Sequence, residues 1–414
     1  MKSGLGEGLQ ATMPLLSARK KSADDAASGV ASLSVDDKLV EDAEKPNVLV
    51  LGGCGFVGRN LVAMLVAKEL CEKIRVVDRT MPAMAFMCDA HKAAFATPVV
   101  EFKQADLSRQ QGVDKAFEGE SFKYVFNLTY DGIPFGQGDE VYEQRVTMPS
   151  RLCGAAAAKH DGLGCFVELS TAQVYEPNEK AAAEGSKTKP WTKQAAFKLK
   201  AEEELRAVQG LPLVVIRPAT IYGPGDVAGL SPRVLCAAAY KQLDEKMKFL
   251  WDAKLRLNTV HVADVCTALW HVSHLGRPEP VYNLADKSDS SQGSINEVLE
   301  AIFGISTGFA GTVGSTAVKA MGLKGFSEGV NEKHMEPWAE ACKKAGILNT
   351  PLTPHIDAEL LAHNHLACDG AMVEATGFTY AVPQLTVETL REQVAVYVEQ
   401  KIFPPLDSLG PAKK

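Results

Sequence analysis

The sequence predicts an α/β fold: a doubly wound parallel sheet, with helices on both faces, and a smaller C-terminal α+β lobe. Short apolar runs rich in β-branched residues alternate with stretches of helical periodicity, which is typical of parallel strands buried on both faces. The predicted strands are residues 47–51, 74–78, 99–103, 124–128, 165–170, 213–217 and 281–284, and helices such as 144–159 and 194–208 lie between them. Repeated alternation of this kind indicates one parallel sheet.

The first predicted strand ends in a glycine-rich turn with the sequence Gly52-Gly53-Cys54-Gly55-Phe56-Val57-Gly58. Gly52 permits a tight turn, Gly55 lets the backbone approach a pyrophosphate, and Gly58 lets the next helix pack closely on the sheet. A helix N-terminus behind such a turn presents free N–H groups to phosphate. The turn, its strand and its helix therefore predict a dinucleotide-binding domain of Rossmann type.

Asp78 ends the second predicted strand, where a carboxylate accepts hydrogen bonds from the adenosine ribose hydroxyls. The same carboxylate repels a 2′-phosphate, so the cofactor prediction is NAD, with NADP less favoured. Arg79 directly follows Asp78, and Arg59 directly follows the glycine turn. Their positive charges keep NADP open as the alternative cofactor.

Composition narrows the class of protein. The chain has 414 residues, a formal net charge of -7, and no basic stripe that would indicate a nucleic-acid partner. Its nine Cys form no CxxC pair, so we predict reduced thiols and no metal site. No apolar run approaches the ~20 residues of a membrane span. We expect a cytoplasmic protein, although the basic run Arg19-Lys20-Lys21 leaves organellar import open.

The expected organisation has four parts. Residues 1–45 are rich in Ala, Ser, Gly, Lys and Asp and are predicted to be a disordered leader. Residues 46–225 form the NAD(P)-binding domain, and residues 226–405 the substrate lobe, with 259–285 returning to the first sheet; 406–414 are a tail. Within the lobe, 305–376 is expected to be irregular, and 385–400 to be a final helix with Thr386 as its N-cap.

Several motifs occur in order along the chain. The glycine turn is of TGxxGxxG type, and the later segments are Asp106-Leu107, Phe126 to Thr129, Leu169 to Tyr175, Arg217 to Gly225, Asn258 to Val265 and Tyr282 to Ala285. Together they resemble the extended short-chain dehydrogenase/reductase superfamily, in its NAD-dependent epimerase/dehydratase and 3β-hydroxysteroid-dehydrogenase-like branch. The resemblance extends from about Pro46 to Phe403.

The resemblance implies functional residues. Those implied to bind the cofactor are Gly52, Gly55, Phe56, Val57, Gly58, Asp78, Arg79, Asp106, Leu107, Leu128, Thr129, Lys200 and Pro218. Thr171 and Lys200 are implied to be catalytic. In the family, a Tyr four residues before the Lys transfers a proton during hydride transfer, and the Lys lowers the pKa of that Tyr. With Lys200 as the family Lys, the Tyr position holds Ala196. Tyr397 and Lys401 have the same spacing on the last predicted helix, which we interpret as chance.

Other departures concern the substrate. Arg145 replaces a structural Asn of the family, and Thr220 stands where sugar-nucleotide enzymes usually carry Asn. The Arg that binds diphosphate in those enzymes is replaced by Leu257, with Arg256 one residue out of register. These departures put a sugar-nucleotide substrate in doubt.

Two functions remain open from the sequence. The first is an atypical dehydrogenase, epimerase or dehydratase that acts on a small molecule without the usual Tyr. The second is a non-catalytic dinucleotide-binding subunit, structural or redox-sensing, of a larger assembly. Either could be a homo-oligomer.

Overall fold

A parallel sheet of seven strands forms the centre of the described chain, which comprises residues 45–130, 133–276 and 280–410 of a computed structural model. The strands are β1 Asn47–Leu51, β2 Lys73–Asp78, β3 Val100–Gln104, β4 Tyr124–Asn127, β5 Cys165–Leu169, β6 Leu213–Pro218, β7 Thr220–Tyr222, β8 Met247–Phe249, β9 Thr259–His261, β10 Val281–Leu284 and β11 Thr307–Phe309. The central sheet has the order β10-β6-β5-β4-β1-β2-β3, and β7 pairs with β9 and β8 with β11 in two small parallel pairs. All seven predicted strands are confirmed, to within one or two residues at their ends.

Helices cover both faces of this sheet. They are α1 Phe56–Ala67, α2 Asp89–Phe95, α3 Gln110–Phe117, α4 Asp139–Tyr142, α5 Met148–Ala157, α6 Lys193–Arg206, α7 Ser231–Leu243, α8 Val262–Ser273, α9 Gln292–Phe303, α10 Gly311–Met321, α11 Leu323–Lys344, α12 Ala371–Glu374 and α13 Val387–Glu399. Val48 and Val50 of β1 face a core shared with α1 and α8, whereas Leu49 and Leu51 face a second core shared with α3, α5 and α6. The doubly wound prediction is therefore confirmed.

A third core belongs to the C-terminal lobe and joins α7, α9, α11 and α13. The final helix begins where predicted, because the Thr386 side chain accepts a hydrogen bond from the Thr389 amide. The prediction that 259–285 returns to the first sheet holds for β10, whereas β9 pairs with β7. Residues 1–44 of the predicted leader and 411–414 of the predicted tail lie outside the described residues.

The expectation of an irregular 305–376 was wrong, because this stretch contains α10 and the 22-residue α11. The buried face of α11 carries Ser327, Asn331, His334, Trp338 and Ala341, which recur at helical spacing. Three of these five side chains are polar, so the hydrophobic pattern that predicts an amphipathic helix is missing from the first half of α11. Packing against α7 stabilises α11, although the local sequence of α11 lacks the amphipathic pattern that would predict a helix.

No helix in the three described stretches is long and apolar enough to cross a membrane.

Buried charges fix α6 against the sheet. Glu202 of α6 is fully buried, and its carboxylate accepts two hydrogen bonds from the Arg217 guanidinium of β6, at 3.0 Å from Nε and 2.6 Å from Nη2. Arg206 donates to the same carboxylate at 3.0 Å. This fork-shaped pairing allows little rotation or sliding of α6 along the sheet.

We predict that Glu202→Gln lowers the free energy of unfolding by about 3 kcal/mol or more, because it leaves the Arg217 guanidinium buried without its counter-charge. Asp139→Asn is the matched control, since Asp139 pairs with Lys193 in solvent and its loss is expected to have little effect. Denaturant unfolding of both variants measures the difference. Equal stability of the two variants would contradict the assigned role of the buried pair.

Candidate active site

The crevice at the carboxyl ends of β1 and β4 is the first candidate site. β1 lies between β2 and β4, so the strand order reverses there, and open α/β sheets bind ligands at such a switch point. A cavity of about 400 Å³ opens at this position. Nine of the predicted cofactor residues line it: Gly52, Gly55, Phe56, Asp78, Arg79, Asp106, Leu107, Leu128 and Thr129. We call it the cleft.

The backbone of the glycine turn packs closely against neighbouring backbone atoms. Gly52 has a φ of 76°, and a Cβ on it would lie 2.5 Å from the Leu128 carbonyl oxygen. A Cβ on Gly58 would lie 2.5 Å from the Gly52 oxygen, so only glycine lets α1 come this close to the turn. Gly55 precedes α1 without a side-chain cap. The first N–H groups of such a helix have no intrahelical partner and suit a phosphate.

Charges of both signs surround the cleft. Asp78 accepts hydrogen bonds from the Cys54 amide at 3.0 Å and the Thr80 amide at 2.8 Å, while burial raises the pKa of its carboxyl. Arg79 and Arg145 line the same cavity, and burial together with the Arg79 charge lowers the pKa of Arg145. Carboxylate and guanidinium groups around a glycine turn fit the ribose and diphosphate of a dinucleotide.

A second cavity of about 480 Å³ adjoins the cleft, and we call it the inner cavity. Phe56, Ile133 and Val227 line both cavities, so the two adjoin at these three side chains. The predicted site residues Val57, Thr171 and Pro218 line the inner cavity. The structure thus brings the cofactor residues and the predicted Thr171 to neighbouring spaces.

Two predicted site residues line neither cavity: Gly58, which packs α1 against the glycine turn, and Lys200. The Lys200 ammonium points outward and pairs with Glu143 at 2.8 Å and Glu204 at 3.9 Å. Lys198 lines the inner cavity instead, is 2% exposed, and lies 3.5 Å from the centre of the Tyr130 ring. The correction follows from the helix period, because Ala195, Ala201 and Leu205 define the buried face of α6, on which position 198 lies and position 200 does not.

With Lys198 as the family Lys, the position of the family Tyr, four residues earlier, also changes. It is Gln194, which lines the inner cavity, and not Ala196, which is exposed. A Gln side chain donates and accepts hydrogen bonds but has no proton to exchange near neutral pH. Sequence reasoning placed the family Lys at Lys200 instead of Lys198 and missed Gln194, although the apolar positions of α6 contained the signal that identifies its inner face.

Lys198 belongs to a buried polar network. Its ammonium lies 3.4 Å from Glu168 of β5 and donates to the Leu169 carbonyl oxygen. Asn127 at 2.5 Å and Ser150 at 3.0 Å also donate to the fully buried Glu168. Burial raises the pKa of this carboxyl, and the Lys198 charge opposes that rise.

Thr171 lies at the end of β5 and caps a short turn, where its Oγ1 accepts a hydrogen bond from the Gln173 amide at 3.3 Å. The Gln173 side chain in turn accepts a hydrogen bond from Thr192, the N-cap of α6. The turn and the start of α6 are therefore coupled on the wall of the inner cavity.

Tyr397 and Lys401, which share the spacing of the family pair, line neither cavity. Tyr397 is buried in the C-terminal lobe, and its hydroxyl donates to the Asp226 carbonyl oxygen at 2.5 Å. His261 caps α8 through a hydrogen bond from the Ala263 amide, as expected of a structural residue. Asp264, in the first turn of α8, accepts hydrogen bonds from the amides of Ala381 and Val382, and burial raises its pKa to about 6.

The sequence was compared with protein families and the fold with solved structures. Residues 48–285 match the NAD dependent epimerase/dehydratase family, and the chain therefore belongs to that family. No curated protein sequence matched the chain.

Solved structures share the fold at low sequence identity. UDP-glucuronic acid 4-epimerase from Bacillus cereus, in complex with UDP-glucuronic acid and NAD, superposes with a TM-score of 0.62 at 16% identity, covering 85% of this chain and 99% of the epimerase. dTDP-glucose 4,6-dehydratase from Bacillus anthracis, in complex with NAD, gives 0.61 at 18% identity, covering 86% and 97%. The enzyme WbmG from Bordetella bronchiseptica, in complex with NAD and UDP, gives 0.60 at 15%, covering 90% and 99%.

We predict that Lys198→Met lowers the free energy of unfolding at neutral pH by about 3 kcal/mol, since it leaves the Glu168 carboxylate buried without a counter-charge. Removing the ammonium raises the pKa of Glu168 further, so the folded variant takes up a proton that the unfolded chain releases. The stability deficit should therefore shrink as the pH falls from about 8 to about 5. Lys200→Met is the control and should show neither effect. Urea unfolding at both pH values is the measurement, and a deficit that is independent of pH would contradict the assignment.

Proposed function

We propose that this chain binds NAD(H) in the cleft and a small organic molecule in the inner cavity, and that the two react where the cavities meet. The observation that carries the proposal is that the two cavities adjoin and share Phe56, Ile133 and Val227 in their walls. When bound, NAD(H) supplies a hydride donor or acceptor. The reaction class is that of an NAD-dependent oxidoreductase, epimerase or dehydratase.

Each group of residues has a separate task in this proposal. Gly52 and the N-terminus of α1 bind the diphosphate, and Asp78 binds the adenosine ribose, which favours NAD over NADP. The NAD in several solved relatives supports the same choice. Thr171 orients a polar group of the substrate, and Lys198 supplies positive charge at the wall of the inner cavity.

Because Gln194 occupies the position of the family Tyr, it limits the rate that we expect for the reaction. A positioned general acid or base typically contributes about 10²- to 10⁴-fold to the rate. Because Gln194 cannot supply the proton that a phenol would, we expect slow turnover unless the substrate itself exchanges that proton with water.

A second candidate is a non-catalytic NAD(H)-binding protein, and the observation that favours it is the same Gln194. An intact cleft beside a cavity without a proton donor at this position suits a protein that reports or stores the cofactor's redox state. Its role as a subunit of a larger assembly also remains a proposal.

Gly52→Ala tests the cofactor site. The added methyl group meets the Leu128 carbonyl and demands a left-handed backbone, so we expect loss of NADH binding. Gly119→Ala is the control, because Gly119 has nearly the same φ, 73°, but open space around its Cα. NADH fluorescence is titrated at a temperature at which circular dichroism shows both variants folded. Unchanged NADH affinity in Gly52→Ala would refute the assignment of the cleft.

Gln194→Tyr tests the chemistry. A phenol there would lie on the face of α6 that carries Lys198, so we expect NADH-dependent reduction of carbonyl compounds to rise by about 10-fold or more. Ala196→Tyr places the same side chain on the exposed face and should change nothing. Turnover is measured as NADH absorbance over a panel of aldehydes and ketones. If both the native chain and Gln194→Tyr bind NADH and neither turns over, the non-catalytic candidate replaces the first.

A further inference from the structure

The wall of the inner cavity contains two buried polar atoms, on residues that do not line the cleft, which the proposed reaction does not use. Arg233 of α7 and His334 of α11 both line this cavity. Arg233 Nη1 and His334 Nε2 are buried, and neither has a hydrogen-bond partner among the described residues. A buried polar atom without a partner costs free energy, so its retention requires an explanation.

The rest of the Arg233 side chain is firmly held. Nη2 donates to Gln292 Oε1 at 3.2 Å, and the guanidinium lies 4.8 Å from the centre of the Phe249 ring. Burial lowers the pKa of Arg233 to about 10, so the group is still cationic at neutral pH. Within the described chain Arg233 makes no ion pair, whereas Lys198, Arg256 and Lys333 of the same lining each have a carboxylate partner.

His334 is 2% exposed and lies next to the same helix, with Nδ1 3.4 Å from the Cys236 sulfur. Burial lowers the pKa of His334, so its ring is neutral at neutral pH. A neutral imidazole offers one further hydrogen bond through Nε2, as donor or acceptor according to its tautomer.

The charged side chains that line the inner cavity also favour an anionic ligand. The described part of this lining contains five basic side chains, Lys198, Arg233, Lys248, Arg256 and Lys333, and one acid, Asp226. The Asp226 carboxylate is already saturated, because it accepts hydrogen bonds from four consecutive amides, at residues 228–231. Of the five bases, Arg233 and Lys248 have no ion-pair partner within the described residues, so the positive charge of the lining is not fully neutralised.

The remaining walls are mainly apolar and aromatic, with Trp191, Tyr240, Phe249, Trp251, Leu255 and Phe326 among them. We propose that Arg233 and His334 form a recognition subsite for one anionic group, a carboxylate or a phosphate, on a ligand with an apolar or aromatic body. This inference rests on the proposed function and names the class of small molecule that the inner cavity takes. Leu257 and the Asp289-paired Arg256 supply no second free cation at the position where a diphosphate would need one.

Matched probes test the subsite. 3-Phenylpropionate and 3-phenylpropionamide have the same body and differ in charge, and phenyl phosphate supplies the second source of anion. Trp191 and Trp251 line the cavity, so intrinsic fluorescence reports binding. We expect the full-length protein to bind both anions about 10- to 100-fold more tightly than the amide, as charge-assisted hydrogen bonds require.

Variants assign the preference to its residues. Arg233→Met should abolish the preference for the anions, Arg233→Lys should retain part of it, and His334→Phe should weaken anion binding by about 3- to 10-fold. Lys241→Met removes a cation from the same helix outside the lining and should have no effect. Equal binding of acid and amide, no binding of either anion, or a preference that survives Arg233→Met would each overturn the proposal.

NADH titration of the same variants separates this inference from the proposed function. Arg233 does not line the cleft, so Arg233→Met should bind NADH like the native chain. Loss of anion preference with intact NADH binding supports the subsite. Failure of NADH to bind the native chain, together with retained anion preference, would refute the cofactor proposal and leave the anion subsite standing.

Discussion

The site depends on how the charged inner face of α6 is neutralised. Lys198 and Glu202 lie one turn apart on this helix, and both are buried against the sheet. Each meets an opposite charge on a strand, Glu168 of β5 and Arg217 of β6. Two buried ion pairs of opposite polarity define one position for the helix, because any shift would leave charges unpaired in a low-dielectric interior. That position in turn decides which residues of α6 face the inner cavity.

The central sheet was predictable because its physical signal is local. Each buried parallel strand is an apolar run, and the turn at Gly52 carries its conformational requirement in its own residues. The same reasoning failed for α11, whose buried face begins with Ser327, Asn331 and His334. These side chains are buried by contacts with distant parts of the chain, and no local pattern contains those contacts.

The candidate site, like the fold, could be predicted where the signal lies within one short segment, and not where it depends on contacts between distant segments. The nine predicted residues that line the cleft were predictable because motif and turn coincide in sequence. In the sequence, the Ala201-Glu202 pair after Lys200 favours Lys200 as the family Lys, whereas the burial of α6 selects Lys198. Arg233 and His334 gave no signal at all, since their proximity arises only when α11 packs on α7.

Buried charged and polar side chains therefore differ in how strongly they indicate a function. Lys198 has a structural reason to persist, because its loss would strand Glu168, so its presence beside the cavity does not by itself argue for catalysis. Arg233 Nη1 and His334 Nε2 gain no such stability in the described chain, and each buried unpaired atom costs about 1–3 kcal/mol. An anionic ligand at the proposed subsite would pair both atoms and remove this cost. Ligand recognition is thus better supported than chemistry, since Gln194 removes the proton donor and leaves the anion subsite untouched.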